Sequence, residues 1–119
     1  MDYNNLCSEI LKRDPNIRYA GICDMTGEIR YDLQREGVKN LLTHEEEKLS
    51  LSQAVYRWST RKFLQGKTGR AKYAMAEYEK MKRITMPVDD NHIILVTTEV
   101  SADVKKIVDD ILDLMAELK

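Results

Sequence analysis

Cysteine, histidine and proline each occur twice in this chain, and phenylalanine and tryptophan once each, among 119 residues. Each scarcity excludes something. Cys7 and Cys23 are too few for the disulfide framework of a small secreted scaffold, and both are read as reduced thiols in or near the core. His44 and His92 fall at a predicted helix start and in a polar turn, far from the converging ligand set that a metal site needs. There is no Cys–His pairing, no nucleophile elbow and no glycine-rich dinucleotide turn. No catalytic residue, metal ligand or cofactor site is therefore expected, and the chain is read as a non-enzyme. The longest apolar run is Ile93–Val96, far short of the roughly 20 residues that cross a bilayer. Nineteen Lys and Arg against 20 Asp and Glu leave a formal charge of −1, so bulk attraction to nucleic acid or anionic membrane is not expected. The opening Met1-Asp-Tyr-Asn-Asn has neither the basic nor the apolar stretch of a signal peptide, which implies a cytoplasmic protein. The length suits one domain spanning residues 1–119.

What is present is periodic. Leu6 and Ile10, with Cys7 and Leu11 beside them, predict a helix over Asn4–Lys12 that ends at Asp14-Pro15, because a residue before proline is pushed out of the α region. Ile17–Cys23 and Glu28–Leu33 predict a hairpin across the turn Asp24-Met-Thr-Gly27, with Ile29, Tyr31 and Leu33 on one face. Residues 34–42 connect to Thr43-x-x-Glu46, a capping box that opens a long central helix. Glu45, Glu46 and Glu47 suit the positive end of its dipole; Leu51, Val55, Trp58 and Lys62 trace a stripe, with Ala54 beside it; Gly66 and Gly69 are expected to stop it. Tyr73–Tyr78, Met81–Met86 and Ile93–Thr98 predict three strands, the last two joined by the polar turn Asp89–His92. Ser101 is the expected cap of a final helix, where Val104, Val108, Ile111, Met115 and Leu118 step by helical spacing. The order α-β-β-α-β-β-β-α gives an α+β class: a five-stranded antiparallel sheet flanked by three helices.

Two local motifs invite chemistry. Gly66-Lys67-Thr68 is part of a phosphate loop, but Arg61 stands where the leading glycine belongs, and helix and strand flank it in the wrong order. Arg57, Arg61, Lys62, Lys67, Arg70 and Lys72 form a run of basic residues with Trp58 and Phe63 interleaved. That pattern suits a phosphate or a stacked base, and equally a solvated helix end or an acidic protein partner.

The hairpin Ile17-Arg-Tyr-Ala-Gly-Ile-Cys-Asp-Met-Thr-Gly-Glu-Ile-Arg-Tyr31, the central helix, the three later strands and the closing helix together resemble the roadblock/LC7 (MglB-like) domain. The wider profilin-like and PAS-like folds share its five-stranded sheet. The run Tyr73–Pro87 is also similar to a segment of small archaeal proteins. The roadblock resemblance implies a homodimer in which the central helix and an edge strand pair across a two-fold axis. The continuous sheet then serves as a platform for small GTPases or scaffold proteins. The positions it implies for the interface are Leu51, Val55 and Trp58 with Tyr73, Met75 and Tyr78. Two alternatives stand beside it. One is a PAS-like small-molecule sensor with a cavity under Tyr19, Tyr31, Tyr73 and Met75. The other is an anion or nucleic-acid binder through residues 57–72.

Overall fold

A computed structural model of the chain describes residues 1–118. The elements run α1 (Tyr3–Arg13), β1 (Ile17–Asp24), β2 (Ile29–Gln34), α2 (His44–Thr68), β3 (Ala74–Glu77), β4 (Lys82–Asp89), β5 (His92–Thr98) and α3 (Val104–Leu118). The five strands form one sheet in the order β2-β1-β5-β4-β3, with every neighbouring pair antiparallel. The expected α+β architecture and element order are thus observed. The last strand, β5, lies at the centre between β1 and β4, so the two halves of the chain meet there.

Both faces of the sheet are covered, which is why β5 reads as an unbroken Ile93-Ile94-Leu95-Val96 rather than as an alternation. Ala20, Ile22, Ile84, Met86, Ile94 and Val96 pack on the side of α1 and α3. Those helices contribute Leu6 and Ile10, then Ile107, Val108, Ile111 and Leu114. Tyr19, Cys23, Ile93 and Leu95 point to the other side, against Leu51, Val55 and Trp58 of α2. The apolar stripe of α3 is therefore consumed inside the chain.

The helix ends follow local chemistry. Asp2 caps α1 by accepting from the Asn5 amide at 3.0 Å. Asp14, before Pro15, is extended and ends it. Arg35 then supplies donors to the freed carbonyls of Leu11 and Asp14 at 2.5 and 3.0 Å. The Thr43–Glu46 capping box forms in both directions, at 2.8 and 3.1 Å. Gly66 does not stop α2, since one interior glycine costs only about 1 kcal/mol. The helix runs on to Thr68 and ends where Gly69 takes a φ of +81°. Ser101 is not the cap of α3 either. Asp103, the residue adjoining Val104, accepts from the Lys106 amide at 3.2 Å.

The hairpin departs from simple alternation at one residue. Ile22 faces Tyr31 but Cys23 faces Ile29, which leaves Arg30 unpaired in a bulge. Ile29 and Tyr31 therefore lie on opposite faces, under α2 and beside α1 respectively. Leu33 is half exposed at the sheet edge. The released Arg30 donates to Asp24 at 2.7 Å. Asp24 also accepts from the Thr26 hydroxyl and amide and from the Glu28 amide. These bonds, the Thr26 hydroxyl foremost and working against partial desolvation, hold its carboxyl well below the usual range. A folded pKa below the unfolded value of about 3.9 contributes stability above that value and loses it as pH falls. The urea midpoint of the wild-type chain is expected to drop between about pH 5 and pH 2. Asp24→Asn should flatten that drop; an unchanged slope would show that the turn does not depend on the charge.

Gly21 is required by a neighbour. A Cβ there would lie 2.6 Å from the Tyr19 hydroxyl and 2.9 Å from its ring. The ring lies over Gly21, and its hydroxyl donates at 3.0 Å to Asp32, the cross-strand partner of Gly21. Gly21→Ala is expected to displace Tyr19 and cost about 1–3 kcal/mol in denaturant unfolding, the usual range for overpacking. No loss would mean that the ring swings away freely.

Candidate functional site

Helix α2 has 25 residues and buries only Leu51, Val55 and Trp58. At about 100° per residue, Leu49, Tyr56 and Phe63 fall on the opposite side. Their heptad spacing drifts only slightly along a straight helix, so they make one outward ridge. They are 67%, 73% and 86% exposed. Leu64, half exposed, widens it. Three large apolar side chains in line on one solvent face are unlike the scattered singles that any surface carries.

A second open surface is a sheet edge. Strand β3 pairs with β4 along one side and, among the described residues, has no partner along the other. Ala71 and Ala74 pack into the apolar cluster beneath α2, which brings this edge alongside the helix. Tyr73, Met75 and Tyr78 are exposed here. An unpaired strand edge presents free amides and carbonyls to any chain that adds to it.

The residues named from sequence divide. Tyr73, Met75 and Tyr78 are at the surface, on or next to β3. Leu51, Val55 and Trp58 are inside their own chain, at 0%, 8% and 6% exposure. Helix α2 carries two apolar stripes, and the sheet takes the one with the branched and indole side chains. Trp58 is further fixed by donating to the Thr85 hydroxyl at 2.9 Å.

The basic residues do not converge. The Arg61 guanidinium sits 4.7 Å above the Trp58 ring, and Lys62 pairs with Asp90 at 3.3 Å. Arg57, Lys67, Arg70 and Lys72 are exposed, strung along the end of α2 and the segment after it. Gly66-Lys67-Thr68 forms the last turn of that helix, where carbonyls rather than amides are free. Nor do Tyr19, Tyr31, Tyr73 and Met75 line one cavity. Tyr19 is under α2, Tyr31 packs near α1 with its ring 5.2 Å from that of Tyr3, and Tyr73 and Met75 are at the β3 end.

One polar cluster escaped the sequence. The Tyr3 hydroxyl donates to Asp89, 86 residues away, and His92 Nδ1 lies 3.0 Å from the same carboxylate. The bond to Asp89, ahead of desolvation, pushes the Tyr3 hydroxyl up to about 12. The cluster ties the start of α1 to the β4–β5 turn. Desolvation foremost pushes the thiols of Cys7 and Cys23 up to about 11 each, and they lie on opposite faces of the sheet, as packed rather than reactive groups. No helix among the described residues is long and apolar enough to cross a membrane.

No protein-family model and no curated protein matches the sequence. Solved structures match over nearly its whole length. A roadblock/LC7 domain from Streptomyces avermitilis aligns with 99% of this chain and 95% of its own, with a TM-score of 0.73 and 13% identity. An MglB in a tetrameric arrangement covers 96% of this chain and 82% of its own, with a TM-score of 0.73 and 15% identity. A Schizosaccharomyces pombe profilin covers 98% and 95%, with a TM-score of 0.64 and 11% identity. At such identities the likeness is one of fold. The chain has the roadblock/LC7 fold, within the wider profilin-like architecture.

Proposed function

We propose that this chain is a single, non-enzymatic, cytoplasmic interaction module that works as a homodimer and presents a platform to a small GTPase or scaffold protein. The observation that carries the reading is the exposed ridge Leu49–Tyr56–Phe63, with the unpaired edge of β3 as a second open surface. A two-fold axis is the economical way to cover both. It lays the same ridge of each copy against the other and lets the two β3 edges meet, so that each patch is its own complement. Met75 and Tyr78 flank the strand junction, and Tyr73 leads into it.

This arrangement revises the interface expected from sequence. Leu51, Val55 and Trp58 hold α2 to its own sheet, and the contacts between copies fall to Leu49, Tyr56 and Phe63. The roadblock/LC7 fold supports the reading, as does the assembled state of the MglB of like fold. Light scattering or sedimentation at micromolar concentration tests it. A dimer is expected, and a strict monomer would overturn the proposal. The GTPase arm is tested separately, by titrating the dimer with small GTPases in their GDP- and GTP-bound forms.

Neither alternative has a comparable observation behind it. The four residues of the sensor cavity are dispersed, and two of the six basic side chains are engaged within the chain.

A further inference from the structure

The outward ridge of α2 is symmetric about Tyr56. Leu49 stands seven residues before it and Phe63 seven after; Glu45 stands eleven before and Lys67 eleven after. At about 100° per residue, steps of seven and of eleven both come within about 20° of whole turns. All five side chains therefore share one direction, and all five are exposed. The ridge is an apolar line with an acid at one end and a base at the other. Neither Glu45 nor Lys67 forms an ion pair among the described residues, whereas Glu47, Lys48 and Lys62 of the same helix pair with Arg83, Glu28 and Asp90.

A line with this symmetry has a definite complement, which is itself turned end for end. With a two-fold axis crossing at Tyr56, Leu49 of one copy meets Phe63 of the other, and each Glu45 meets a Lys67. A parallel pair would set Glu45 against Glu45 and Lys67 against Lys67, like charges at both ends. Sliding the antiparallel pair by one heptad leaves Phe63 or Leu49 facing a residue beyond the helix ends and separates the charges.

We propose that α2 sets the register of self-association: two copies pair antiparallel with the axis at Tyr56, and Glu45 of each forms an ion pair with Lys67 of the other. The inference rests on the homodimer reading above and adds to it the register and the two ion pairs that fix it. Exposed pairs of this kind contribute little affinity, and they act by excluding other registers and other chains.

Charge reversal tests the pairing. In Glu45→Lys both ends of the ridge are positive, and in Lys67→Glu both are negative. Each variant should self-associate about tenfold more weakly than the wild-type chain. Their equimolar mixture should form a mixed dimer as tight as wild type, because both ion pairs return with their signs exchanged. A folding defect would not be repaired by mixing. Sedimentation velocity with one chain fluorescently labelled reads both results. Cysteines at the same two positions test the geometry. About 33 Å of helix separates residues 45 and 67, so mild oxidation should link Glu45→Cys to Lys67→Cys in a mixture and neither variant to itself. Cys7 and Cys23 are buried and stay out of the reaction. Reversal variants that self-associate as tightly as a dimeric wild type, or a Glu45→Cys chain that links to itself, would overturn the register and leave the homodimer standing. A monomeric wild-type chain would overturn both.

Discussion

Phe63→Glu should run as a monomer at concentrations where the wild-type chain is expected to run as a dimer. Phe63 is 86% exposed in the single chain, so the substitution removes nothing from the core and should leave the unfolding of the monomer nearly unchanged. In the proposed pair the ring is buried against the partner helix. Burying such a side chain contributes about 1.5–3 kcal/mol, and a two-fold axis counts the loss twice. A weakening of two to four decades in dissociation constant is the order expected. A carboxylate forced into the apolar seam adds to it. Tyr56→Glu should act alike. Sedimentation velocity across a concentration series reads the result. A Phe63→Glu chain that dimerises as tightly as wild type would remove the ridge from the interface.

Trp58→Ala should do the converse: damage the fold without touching a surface. Its indole is 6% exposed, packed with Leu51, Val55 and Leu95, hydrogen-bonded to Thr85 and covered by Arg61. Truncating a buried aromatic costs about 3–5 kcal/mol, a large share of the roughly 5–15 kcal/mol by which a domain is stable. Denaturant unfolding of a monomeric background such as Phe63→Glu separates this from any change in association. Trp58→Phe should restore most of the packing and lose chiefly the bond to Thr85, about 1 kcal/mol. If Trp58→Ala instead left stability within about 1 kcal/mol and split the dimer, α2 would be presenting the other face, and the assignment of its two stripes would be reversed.

That pair of substitutions also marks the boundary of what could be read from the chain alone. Apolar period and turn chemistry determine the elements, because they act within a few residues. Ile93–Val96 is long enough for a strand buried on both faces, Asp14-Pro15 ends a helix, and Thr43 and Glu46 cap one reciprocally. The order of these elements, with so few topologies open to it, determines the sheet. Which of two apolar stripes on α2 faces inward was not decided there. Leu51, Val55 and Trp58 are as regular as Leu49, Tyr56 and Phe63, and only the shape of the sheet face selects between them. The bulge at Arg30 escaped for a related reason: one residue added on one strand is defined by its partner strand. Arg83 shows the same limit most sharply. Between Lys82 and Ile84 nothing local marks it as inward-facing. It becomes a buried donor because Glu47, 36 residues earlier, meets it beneath α2. Local sequence carries the energies of local contacts. The surface left for a partner is a remainder of long-range packing, and only the tertiary structure assigns it.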